Sequence, residues 1–87
     1  MKKLVWTHHA KENLLEREIN AQEVYLTLKN PEIRQPGIKG RIILVRTYFD
    51  TSLNQKMLLR LIIEETVAEI KIITLYKTSK IEKYYRR

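Results

Sequence analysis

The sequence predicts an α+β fold: a four-stranded antiparallel sheet with an N-terminal helical hairpin on one face and a short C-terminal helix, forming one domain over residues 1–87. Three observations carry this expectation. Two helical stretches, each with its own capping residue, precede Pro31. Three runs rich in β-branched and aromatic residues follow between residues 41 and 76, joined by short connections. Ser79-Lys80-Ile81-Glu82 then matches the S/T-x-x-E box that opens a helix.

In chain order, Lys3–Thr7 reads as the first strand, because Leu4, Val5 and Trp6 are good strand formers. Thr7 caps a helix from His8 to Arg17 that sets Ala10, Leu14 and Arg17 in line, with Leu15 and Ile19 widening the stripe. Asn20 and Glu23 form a variant capping box for a second helix, which carries Ala21, Val24, Tyr25 and Leu28 at helical spacing. Asn30-Pro31 ends it, since the residue before proline is pushed out of the α region. Pro36-Gly37 marks a turn, and Gly40 opens the strand Arg41–Phe49. Asp50–Asn54 is a loop. Met57–Glu64 places Met57, Leu59, Leu61 and Ile63 on one face. Glu65-Thr66 turns the chain into the strand Ala68–Tyr76. The first strand must join this meander, and the two helices then cover one sheet face while the other stays partly open.

Apolar residues make up 44% of the chain, with two glycines and two prolines, which fits a packed domain rather than a disordered tail. There is no cysteine, so a disulfide framework and a thiolate metal site are excluded. A small secreted domain ordinarily needs such staples, and no apolar run of signal-peptide length follows Met1-Lys2-Lys3. A cytoplasmic location is therefore expected. Arg60 interrupts the longest apolar stretch, and no transmembrane helix is expected.

The net charge is +7, and it is unevenly spread. Residues 1–35 carry six basic and five acidic side chains, whereas residues 76–87 carry five basic and one acidic. A basic end of this kind concentrates polyanions near it. Solubility, or an acidic partner protein, is the alternative use.

Several short motifs sit in this frame. The helical half contains His9-Ala10, Arg17, Ile19, Val24, Leu28 and Asn30-Pro31. The last strand and helix contain Ile73-Thr74-Leu75-Tyr76, Lys77-Thr78-Ser79-Lys80 and Lys83-Tyr84. Together with the element order they resemble the RelE/ParE superfamily of bacterial toxins, in wording closest to a BrnT-like or related uncharacterised branch. The resemblance spans nearly the whole chain. One position departs from it: that branch often has a further Arg four residues before the one matched by Arg17, and here the residue is Asn13. The resemblance implies the toxin of a type II toxin–antitoxin system, a metal-independent endoribonuclease that cleaves mRNA, in RelE-like members usually on the ribosome. It implies a small acidic antitoxin as partner and no cofactor. ParE-like members share the fold and poison DNA gyrase, and a nucleic-acid-binding module without catalysis is a further alternative. The oligomeric state, a homodimer included, is left open.

The candidate catalytic residues are His9, Arg60, Lys77, Lys80 and Tyr84. His9 is of the residue type most used for proton transfer; capping the helix or packing on Trp6 is its structural alternative. His8, His9 and Glu12 match no standard zinc spacing, so no metal site is expected. Arg60 and Arg46 each break an apolar strand, where a guanidinium on the open face clamps phosphate or pairs with Glu64 or Glu69. Lys80, Lys83 and Tyr84 share a helical face, with Lys77 just before it. Tyr84 is expected to be exposed for stacking on a base, and Tyr85, in line with Ile81, to pack. Arg17, Arg41, Arg46, Lys83, Arg86 and Arg87 complete the expected RNA contacts. A lysine base would need its pKa lowered from about 10.4 towards about 8, at a cost of roughly 3 kcal/mol, a demand that histidine as a residue type does not face. The acid and base roles stay open. Release of about four counterions from single-stranded nucleic acid gives a log–log salt slope near −3.

Overall fold

The central strands are the longest and the most apolar, and the rest of the chain is arranged around them. The computed structural model describes residues 2–85. In order they form β1 (Lys3–Trp6), α1 (His8–Glu16), α2 (Ala21–Lys29), β2 (Ile33–Pro36), a 3-10 turn (Ile38–Gly40), β3 (Ile42–Asp50), β4 (Gln55–Glu65), β5 (Glu69–Thr78) and α3 (Ile81–Tyr85).

The fold is α+β, but the expected four-stranded antiparallel sheet is wrong. The sheet has five strands in the order β1-β5-β4-β3-β2, and β1 lies parallel to β5. Two physical reasons account for the difference. First, Ile33–Pro36 pairs antiparallel with Ile42–Val45 as an edge strand, although only Ile33 is deeply buried. Pro36 is tolerated there because an edge strand has one row of N–H groups that need no partner. Second, the chain leaves β1 for two helices and re-enters the sheet at its far edge, so β1 reaches β5 running in the same direction. The helices are few and short.

Thr7 joins three elements at one point. Its Oγ1 accepts the Ala10 N–H at 3.1 Å, capping α1 as expected. The same hydroxyl lies 2.9 Å from the Ile72 carbonyl oxygen and 3.1 Å from that of Ile73, where β5 bulges against Ile62 and Ile63 of β4. Replacing Thr7 with Val keeps the shape and removes both functions. The expected loss is about 1–2 kcal/mol in urea unfolding, with most of the stability retained in Thr7→Ser.

Asn20 caps α2 by accepting the Gln22 N–H at 2.8 Å, while Glu23 turns away to bind Arg46. Ala10 and Val24 press these two helices onto Leu44, Leu59, Leu61, Ile72 and Leu75, all buried. The reverse face carries a smaller cluster of Ile33, Val45 and Leu58, covered by Ile81 and Tyr84 of α3. Glu65 at the end of β4 links both sheet edges. It accepts from Lys2 at 2.6 Å and Arg34 at 3.0 Å, and these two donors, Lys2 first, hold its carboxyl below the usual range. No helix is long and apolar enough to cross a membrane among the described residues.

Candidate nucleic-acid interface

Strand alternation puts Arg60 of β4 on the α3-bearing face, beside Leu58 and opposite Tyr76 of β5. Its Nη1 donates to the Tyr76 hydroxyl at 2.6 Å. Its guanidinium carbon lies 5.7 Å from the ring centre of Tyr76 and 5.7 Å from that of Tyr84. The two rings meet edge-on, 5.8 Å apart. Two aromatic faces thus hold a cation without neutralising it, because ring quadrupoles attract charge but carry none. No carboxylate pairs with Arg60 among the described residues. The rest of its planar donor fork is available to an incoming oxyanion. Lys83 sits on the next turn of surface, its Nζ 5.3 Å from the Tyr84 ring, and Lys80 is exposed just before α3.

Next to Arg60 the same face opens into a groove of about 600 Å³. Pro36, Ile38, Ile43 and Ile62 supply its apolar walls, and Arg41 and Arg60 are its cations. Arg41 is paired there with Glu64 at 3.1 Å.

The structure brings Arg60, Tyr84, Lys80, Lys83 and Arg41 to one face. It separates the other candidates from them. Lys77 points to the opposite face, where its Nζ donates to Asp50 at 2.9 Å and to the Glu18 carbonyl at 3.0 Å. Strand period explains this: Lys77 is in register with Leu59 of the helix-facing core, whereas Tyr76 is in register with Arg60. Arg46 likewise faces α2 and pairs with Glu23 at 2.6 Å, rather than with Glu64 or Glu69. His9 and Arg17 are exposed on and just after α1, which packs on the other side of the sheet. Arg86 and Arg87 lie outside the described residues. Tyr84 and Tyr85 exchange their expected places. Tyr84 packs on the reverse-face cluster with Ile81, and Tyr85 is 41% exposed. In a five-residue helix the i+3 neighbour of Ile81, not the i+4 one, meets the sheet.

Asn13 has a role of its own in this chain. It is buried and donates to the Thr74 hydroxyl at 2.7 Å, tying α1 to β5.

Sequence reasoning passed over Tyr76, which holds Arg60, and Asp50, which holds Lys77. Tyr76 sat within a strand and was read only as part of a motif. Its pairing opposite Arg60 was the signal that could have found it. Asp50 was read as loop. It ends β3 buried and accepts from Lys77, then from the Ser52 hydroxyl and the Leu53 N–H, which together hold its carboxyl far below the usual range. Burial, with Asp50 beside it, pushes the neighbouring Tyr48 hydroxyl up to about 12.

A family model described as a domain of unknown function, DUF4258, matches residues 6–77, which is most of the chain and includes Arg60 and Tyr76. No curated protein and no solved structure matches the chain.

Proposed function

We propose, from the premise that the chain belongs to the DUF4258 family, that it binds single-stranded RNA on the α3-bearing face of its sheet and cleaves it as a RelE/ParE-like toxin. The observation that supports this reading is Arg60, a cation held by Tyr76 and Tyr84 with no carboxylate partner among the described residues. Lys80 and Lys83 extend positive charge along the adjoining surface.

In this reading Arg60 binds the non-bridging oxygens of the scissile phosphate. The ribose 2′-OH attacks phosphorus and gives up its proton, and the bond to the 5′ oxygen breaks. A cyclic phosphate and a 5′-OH result. The guanidinium offsets the charge that builds on the phosphorane. Tyr76 and Tyr84 are proton-carrying side chains beside Arg60, and Lys80 precedes the helix that carries Tyr84. An acidic antitoxin would neutralise this face.

Incubation of the protein with single-stranded RNA in excess chelator, alongside a translation assay for ribosome-dependent cutting, tests the reading. Fragments with 5′-OH ends in either assay are expected. No cleavage in either, with inhibition of gyrase supercoiling, would move the protein to the ParE-like alternative.

The same face sets the salt dependence of binding. With Lys77 and Arg46 engaged on the other side and Arg41 paired with Glu64, Arg60, Lys80 and Lys83 are the cations assigned to the strand in this reading. About three released counterions give a log–log slope near −2 for a single strand. Fluorescence anisotropy across a salt series measures this, and a flat response would remove the nucleic-acid reading.

A further inference from the structure

We infer that the groove beside Arg60 is a nucleobase pocket, which seats one base of the bound strand while Arg60 holds the adjoining phosphate. The inference rests on the RNA-binding reading and deepens it.

The groove's volume of about 600 Å³ falls in the range of roughly 300–1,000 Å³ that encloses small ligands. Its walls are apolar, from Ile38, Ile43 and Ile62. Ile38 is 78% exposed, an unusual position for a large aliphatic side chain beside an apolar concavity. The backbone presents it there deliberately. Lys39 and Gly40, the two residues that follow, both have positive φ, 57° and 75°. For Lys39 this left-handed conformation carries a steric cost that the turn must offset. The tight reversal leaves Ile38 projecting at the rim of the groove.

Polar groups mark two sides of this apolar surface. Arg60 offers a fork of donors with no carboxylate partner among the described residues, which suits a phosphate. Arg41 lines the groove with its charge already met by Glu64 at 3.1 Å, and Thr74 adds a hydroxyl to the lining. A base edge carries both donors and acceptors and can meet Arg41 and Thr74, while its flat face covers the isoleucines. An acidic peptide or a fatty acid would satisfy Arg60 and bury the apolar walls, but the first would bring further negative charge to an Arg41 already paired with Glu64, and the second would bring bare hydrocarbon to Arg41 and Thr74. Charge complementarity therefore favours a nucleotide.

The test is a titration of the full chain followed by NMR of the isoleucine methyl groups, using adenosine 5′-monophosphate, ribose 5-phosphate and inorganic phosphate as separate probes. The nucleotide should move the Ile38, Ile43 and Ile62 methyls, and the two probes without a base should move the Arg60 side-chain N–H signals alone. Ile38→Ala, a change at an exposed rim, should weaken nucleotide binding at least about threefold while leaving ribose 5-phosphate binding unchanged. Identical responses to the nucleotide and to ribose 5-phosphate, or unmoved methyls, would overturn the pocket. An oligoribonucleotide that binds with the expected salt slope, and loses no affinity when each base in turn is made abasic, would overturn it too while leaving RNA binding intact. Nucleotide seated in the groove without binding of any oligoribonucleotide would keep the pocket as a site for a free nucleotide and remove the RNA reading.

Discussion

Lys77→Met is expected to destabilise the protein by about 3 kcal/mol, because it strips the cation from a buried ion pair and leaves the anion behind. The Lys77 and Asp50 side chains are only 11% and 8% exposed. Lys77 also satisfies the Glu18 carbonyl, where the chain turns through a positive φ of 52° between α1 and Ile19. One ammonium therefore fastens the end of β5 to the β3–β4 connection and to the corner after α1. For a domain of this size, a loss of that magnitude lowers the thermal midpoint by roughly 12–24 °C. Asp50→Asn together with Lys77→Met should recover part of it, because no charge is then stranded. The pair also sets an acid limit. The folded carboxyl of Asp50 is depressed, so its contribution is complete above the unfolded value of about 4. It is lost as the pH falls from there through the depressed folded value, and Asp50→Asn should flatten that acid limb of a stability–pH curve. If Lys77 serves only the fold, Lys77→Met leaves the salt slope of RNA binding near −2. A shallower slope would return Lys77 to the interface.

Arg60→Ala is expected to lower RNA cleavage about 100- to 1,000-fold, the scale on which loss of one donor to a developing oxyanion is felt. The fold should tolerate the change. The Tyr76 hydroxyl is only partly buried and can bond to water instead, and Tyr84 keeps its packing on the reverse-face cluster. Arg60→Lys separates charge from geometry. It retains the cation and loses the planar fork, so it should preserve most of the salt slope while recovering little of the cleavage. Unfolding midpoints measured on the same samples distinguish lost chemistry from lost structure. Cleavage by Arg60→Ala at the native rate, with the fold intact, would sink the proposed site.

The local signals in the sequence marked α1, α2, α3 and the long strands well. Thr7 and Asn20 cap where their chemistry says they should, and alternation along β4 sorts Leu59 and Leu61 from Leu58 and Arg60. What escaped was decided elsewhere in the chain. β2 has too little apolar character to stand out, because Ile33 does the burying while Arg34 and Gln35 do not. The direction of β1 depends on β5, whose paired residues lie 66 positions later, as in Lys3 with Glu69. The site was legible at Arg60 for the same reason that β4 was: a charge on an apolar strand has a definite side. Lys77 lies close to Lys80 along the chain, but the strand period turns it to the opposite face. The Tyr84 and Tyr85 exchange shows how little phase a helix of one turn and a half can fix before it docks.

The parallel β1–β5 pair also orders events in time. During synthesis β1 emerges before the other four strands, and β5, which flanks it, emerges after them. The antiparallel ladders of β2, β3 and β4 join neighbours along the chain and can form early, whereas β1 has no ladder to enter until residues 69–72 have been made. The first strand must therefore wait, unpaired, until β5 has been made. Closure of the sheet at that edge, secured by Thr7 on the β5 bulge and by Lys2 on Glu65, thus follows the making of every other strand.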